Sequence, residues 1–200
     1  MLNVQDYLFL IKEKIFSDEE FTYIRDFGSR YENYENTGGF NWMSNAKKYE
    51  ILELVQSKFN TEIDVCFFRL LKNGFIPLHR DNCIPLPYTR ESILVMPLNP
   101  EVDYKPTYFV DLNPMYRHQK DLEATPIVTC PTEIGSAYVL NGFKWHAIVE
   151  TPVDRYSFQI TFLNQSYRNV LKMYQQNKLL NTDNLDKSLL CNLYYNEELQ

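Results

Sequence analysis

The chain has 200 residues, 44% of them hydrophobic and 15% aromatic, with only 10 Pro and 6 Gly. That composition excludes collagenous and disordered classes and suits one domain with a sizeable core. The formal net charge of −6 argues against a general attraction to nucleic-acid backbones or anionic membranes.

Taken in chain order, residues 7–16 read as an opening strand. Its apolar run is interrupted by Lys12, Glu13 and Lys14, and no stretch approaches the roughly 18–20 apolar residues of a membrane span. With no basic leader and no small-residue cleavage site, a soluble, intracellular, cytoplasmic protein is expected. Ser17-Asp18-Glu19-Glu20 has the form of a capping box, with Ser17 as N-cap and Glu20 as its reciprocal partner. Phe21, Ile24 and Phe27 give the helix that follows an apolar edge. Gly38-Gly39 mark a loop, and a second helix over 45–59 presents Ile51, Leu52, Val55 and Phe59 on one face.

From residue 63 the pattern changes to short strands separated by turns, with strands expected at 64–71, 74–79, 91–98, 107–111, 126–130, 136–141, 145–150 and 155–163. Eight strands at this spacing point to a mainly β fold with flanking helices, a double-sheet jelly roll. After Asn164 a helix is expected to about residue 180, followed by a polar, acidic end. The organisation is a single domain: a helical lead-in over 1–62, the jelly-roll core over 63–163 and a C-terminal helical segment over 164–200. Cys66, Cys83, Cys130 and Cys191 form no C-x-x-C pair, which argues for free thiols in a reducing compartment and against a zinc knuckle.

Three groups carry candidate chemistry. His79 and Asp81 are two apart, so on an extended chain both side chains point the same way while Arg80 points elsewhere. His146 lies in a separate strand beside Trp145, and a jelly roll brings such distant strands together. Two imidazoles and one carboxylate are the minimal donor set for a non-heme Fe(II) centre with open positions. Taken singly, His-x-Asp suits a solvated turn, and His146 suits a hydrogen-bonded core. His118 sits in a polar stretch and is assigned to the surface. On the strand at 155–163, Arg155, Ser157, Gln159 and Thr161 share one face, and Tyr156, Phe158, Ile160 and Phe162 share the other. The bland reading is an edge strand with one wet face. The alternative is an inward polar wall, on which a guanidinium and a hydroxyl hold a carboxylate.

His79-x-Asp81, His146 and Arg155-x-Ser157, in that order, resemble the motif order of the 2-oxoglutarate/Fe(II)-dependent oxygenase superfamily. More loosely, YLFLIKEKIFSDEEFTYIRDFG and FFRLLKNGFIPLHRDN resemble the lead-in and metal approach of prolyl-4-hydroxylase-like members. The resemblance implies a double-stranded β-helix and Fe(II) held by His79, Asp81 and His146 as catalytic metal ligands. It further implies 2-oxoglutarate gripped by Arg155 with Ser157, and a dioxygenase that uses O₂ to hydroxylate a protein side chain or a small amino-acid-like substrate. Related halogenases lack the carboxylate, so Asp81 favours hydroxylation or another oxidation. Two departures stand out. The tyrosine that such members often carry shortly before His-x-Asp is replaced by Leu70 and Ile76, leaving Arg69 as either a co-substrate contact or a salt-bridged strand residue. The Gly-Gly-Glu-like turn gives way to NPEVDYKPTYF, so no prolyl substrate is assigned. Loop 82–90 and insert 99–125 are long enough to cover a mouth, with Tyr88, Arg90, Tyr104 and Tyr116 as candidate substrate contacts. The rival readings are a cupin-type metal-binding jelly roll that does not use 2-oxoglutarate and a noncatalytic β-sandwich interaction module.

Overall fold

The structure, a computed structural model, describes residues 3–29, 34–36, 40–43, 49–81, 90–99, 107–110, 128–148, 150 and 152–185. It is mostly β with a few helices. The strands are β1 (Leu8–Ile11), β2 (Tyr34–Asn36), β3 (Phe40–Met43), β4 (Ile63–Leu70), β5 (Ile76–His79), β6 (Ser92–Pro97), β7 (Thr107–Phe109), β8 (Val128–Thr129), β9 (Ala137–Asn141), β10 (His146–Ile148) and β11 (Arg155–Phe162). The helices are α1 (Asp18–Ser29), α2 (Tyr49–Gln56) and α3 (Tyr167–Gln175). All pairings are antiparallel and form a seven-stranded sheet, β1-β9-β6-β11-β4-β3-β2, and a four-stranded sheet, β5-β10-β7-β8.

The large sheet is buried on both faces, and strict alternation sorts its side chains. Val65 and Phe67 of β4, Leu94 and Met96 of β6, Val139 of β9, and Phe158, Ile160 and Phe162 of β11 meet Ile24, Ile51, Val55, Tyr167 and Val170 of the helices in one apolar core. The intervening residues face the small sheet, where Ile93, Val95, Tyr138 and Leu140 pack with Phe109, Val128 and Cys130. Each large apolar side chain so buried contributes about 1.5–3 kcal/mol. Gly28 sits inside α1, where glycine costs about 1 kcal/mol relative to alanine, because a Cβ there would collide with the Phe67 ring.

The helix ends follow local rules. The Glu20 N–H donates to Ser17 Oγ at 3.2 Å, and the Ser17 N–H donates to Glu20 Oε2 at 2.9 Å, so the capping box forms as read. The other oxygen of Glu20 accepts from the buried Lys58 ammonium at 2.7 Å, which ties α1 to the turn after α2. Helix α2 ends at Gln56 rather than 59, because tight turns at Val55–Lys58 and Gln56–Phe59 carry Phe59 into the core beyond its end; residues 45–48 of the expected span lie outside the described residues. Helix α3 stops at Gln175 rather than near 180. Asn177 adopts a positive φ of 53°, and its N–H and that of Lys178 donate to Tyr174 and Met173, which closes a Schellman turn.

All eight strands expected over 63–163 are present, and the opening strand is confined to Leu8–Ile11. The lead-in is more than helical. It contributes β1 to one end of the large sheet, and the unanticipated β2–β3 hairpin to the other. No helix among the described residues is long and apolar enough to cross a membrane. Cys66 and Cys130 are free thiols, as expected; Cys83 and Cys191 lie outside the described residues, as do His118, Tyr88, Tyr104 and Tyr116.

Candidate metal centre and its cavity

Strand β5 pairs with β10 so that His79 and His146 are direct cross-strand partners, and their rings lie 4.3 Å apart between centroids. Asp81 follows immediately after β5, where its N–H donates to the Gly142 carbonyl at 3.0 Å. The three side chains each offer a ligand atom within 4.8 Å of the others. Arg80 points the opposite way, its guanidinium stacked 4.8 Å from the Trp145 ring, as alternation requires on both strands.

Both rings are oriented in the same manner. His79 Nδ1 lies 2.8 Å from the Pro77 carbonyl, and His146 Nδ1 lies 2.8 Å from the Lys144 carbonyl. A carbonyl only accepts, so each Nδ1 carries a hydrogen and each Nε2 faces the carboxylate. The Nε2 atoms stand 3.5 and 3.6 Å from the two Asp81 oxygens, farther than a good hydrogen bond.

Charge states suit a cation. Burial pushes the Asp81 pKa up, but the facing His146 ring, the nearby His79 Nε2 and the charge of Arg90 outweigh it and bring it down to about 2. Burial lowers the pKa of His146, and Asp81 only partly offsets this, so the ring is held neutral. Burial also acts to lower His79, yet the neighbouring carboxylate and the Pro77 carbonyl leave its pKa above the ordinary 6.5. The ionised carboxylate and the neutral His146 ring are ready to donate to a divalent metal, and His79 must first release its proton.

The triad opens into a cavity of about 260 Å³ between the sheets, whose walls include Phe68, Ile76, Val95 and Tyr138. Arg155 and Ser157 line the same cavity, each only 2% exposed. Strand β11 lies inside the sheet, between β6 and β4, which removes the edge-strand reading: Arg155, Ser157 and Thr161 of its polar row are buried and Gln159 is half-buried. Arg155 Nη2 donates to Thr107 Oγ1 at 2.8 Å. Burial raises the Cys130 thiol to about 12, despite the Arg155 charge and a hydrogen bond with Tyr138, so Cys130 stays an uncharged thiol beside the guanidinium. A buried guanidinium facing a cavity is the arrangement that a ligand carboxylate neutralises.

Arg69 is not in this cavity. It bonds Asp154 at 2.6 Å beside the Tyr156 ring, on the helix-side face of the sheet, so the salt-bridged alternative holds. Thr107 of β7 and Tyr138 of β9 also line the cavity. Neither was singled out from the sequence. Their one signal was alternation on strands whose pairing was unknown. Arg90 also lines the cavity, and its Nη2 donates to Gln159 Oε1 at 2.7 Å.

No protein-family model matches the chain, and no curated protein matches it. Solved structures do. A prolyl-4-hydroxylase from Pseudomonas putida superposes with a TM-score of 0.54 at 12% identity, over 80% of this chain and 93% of that one. An oxidoreductase of the 2OG-Fe(II) oxygenase family from Burkholderia pseudomallei gives 0.53 at 14% identity, over 82% and 88%. HygX from Streptomyces hygroscopicus, with nickel, 2-oxoglutarate and hygromycin B bound, gives 0.51 at 14% identity, over 82% and 87%. The chain shares the fold of these 2-oxoglutarate/Fe(II) oxygenase structures.

Proposed function

We propose that this protein is a 2-oxoglutarate/Fe(II)-dependent dioxygenase that hydroxylates a protein side chain or a small amino-acid-like substrate, and that its two sheets form the double-stranded β-helix of that superfamily. One observation carries the reading: the His79-Asp81-His146 cluster and the buried Arg155 open into one cavity. In this reading His79, Asp81 and His146 hold Fe(II), while Arg155 and Ser157 hold the far carboxylate of 2-oxoglutarate. Bound iron supplies activation of O₂ coupled to decarboxylation of 2-oxoglutarate to succinate and CO₂.

The chain's own groups do the rest. The Pro77 and Lys144 carbonyls fix both imidazoles with Nε2 turned toward Asp81, where they would hold the metal. Thr107 steadies the Arg155 guanidinium, so that the carboxylate meets an oriented fork and costs little reorganisation. The apolar walls at Phe68, Ile76 and Val95 keep water from the reacting atoms.

Melting scans with Mn(II) and 2-oxoglutarate, alone and together, test this. The pair is expected to raise Tm by more than the sum of the separate shifts. Asp81→Ala is expected to weaken Mn(II) binding by at least about 100-fold and to abolish succinate formation. A cupin-type site would show the metal shift with no response to the keto acid, and an interaction module would show neither; each result rejects the proposal.

A further inference from the structure

The cavity contains a second guanidinium that the proposed reaction has not used. Arg90 stands two residues before β6, and its backbone is seated against the Asn141-Gly142 turn. The Gly142 N–H donates to the Glu91 carbonyl at 2.8 Å, and the Gly142 carbonyl accepts from Asp81. A Cβ on Gly142 would collide with the Arg90 carbonyl oxygen and come within 3.2 Å of Asp81 Cβ. Glycine is therefore required for the chain to bring Arg90 and Asp81 together on one turn. The side chain is fixed as well, by the 2.7 Å bond from Nη2 to Gln159. Gln159 and Arg155 are four residues apart on β11, roughly 13 Å at strand rise, with Ser157 between them. The two cations thus flank the polar wall, Arg155 at the Thr107 end and Arg90 at the Asp81 end.

A fixed guanidinium beside a metal centre is unfavourable by itself. Arg90 lines the same cavity as His79, Asp81 and His146, so a divalent ion on those donors would face a like charge across the cavity. An anion between the two relieves the conflict. We infer that Arg90, steadied by Gln159, is a second carboxylate-binding group of this cavity, placed at the metal end so that ligand anions are held at both ends of the β11 wall. This rests on the dioxygenase reading for the metal. The carboxylate belongs either to the keto-acid end of the co-substrate or to the primary substrate, and the test separates the two.

The experiment uses the full chain loaded with Mn(II), with affinities read by calorimetry and melting shift. One arm titrates 2-oxoglutarate and pyruvate, which keeps the keto-acid end and lacks the far carboxylate. The other arm titrates free amino acids, each against its amide. Arg90→Gln is expected to lose about tenfold or more in one arm, while Mn(II) affinity is unchanged or higher because a like charge has gone. Arg90→Lys should retain more than Arg90→Gln, and Gln159→Ala should fall between wild type and Arg90→Gln, which guards against misfolding of any single variant. Loss in the keto-acid arm assigns the subsite to the co-substrate; loss confined to the amino-acid arm assigns it to the primary substrate. Equal wild-type and Arg90→Gln responses in both arms overturn the inference. Failure of wild type to bind 2-oxoglutarate sinks the dioxygenase reading instead, and Arg90 is then judged on pyruvate and the amino acids, where equal or absent shifts overturn it too.

Discussion

The two faces of the large sheet have opposite occupations, and β11 has both. On its helix side, Phe158, Ile160 and Phe162 are fully buried among apolar neighbours. On its other side, Arg155 and Ser157 are just as inaccessible but line a cavity. Burial alone therefore does not separate a core residue from a site residue. The distinction is what the buried group faces: apolar atoms that gain from close packing, or a polar space that needs a ligand. A single strand can supply both functions because its side-chain period of two keeps them from mixing.

Substitutions on the two faces should then fail in different ways. Phe158→Ala removes a ring packed between Phe16 and Phe67, and is expected to destabilise by about 3–5 kcal/mol in denaturant unfolding. At temperatures where that variant remains folded, its affinity for 2-oxoglutarate should match wild type. Arg155→Met should do the reverse. The affinity for 2-oxoglutarate falls by about 10- to 100-fold, while the ligand-free Tm holds or rises, because a buried charge is replaced by an apolar chain of similar reach. A large drop in Tm with unchanged affinity would show that Arg155 belongs to the packing face in all but position.

The smallest effect concerns pH. In the metal-free protein the raised pKa of His79 means that its pairing with Asp81 adds stability fully present below 6.5 and lost as pH rises through the folded value. Metal binding has the opposite slope. The ion must displace a proton from His79, whereas Asp81, at about 2, stays ionised. Mn(II) affinity should climb by up to about tenfold per pH unit through the neutral range and flatten once His79 is unprotonated. A Mn(II)-dependent Tm shift that ignores pH in this window would remove His79 from the donor set.

How much of this was legible beforehand differs by residue. The capping box at Ser17 and Glu20 was fully readable, because its two hydrogen bonds span three residues and need no tertiary partner. The inward row on β11 was readable as a row, but not as buried: an edge strand and a central strand have the same alternation, and only the flanking β6 and β4 decide between them. Arg69 was left open between two roles for the same reason; its partner Asp154 is distant in sequence and local patterning says nothing of it. The β2–β3 hairpin was missed because its strands are only three and four residues long, too short to establish a period of two.

The sequence by itself determined the donor types, the shared direction of His79 and Asp81, the polar row ending in Arg155, and most strand and helix positions. These depend on backbone geometry and on neighbours a few residues away. Tertiary structure alone decided that His79 lies opposite His146, that Thr107 meets Arg155, and that Gly142 brings Arg90 beside Asp81. Those relations join segments tens of residues apart. They are settled by which strands pair and which faces can be buried together, and this is a property of the whole packed chain that no local window contains.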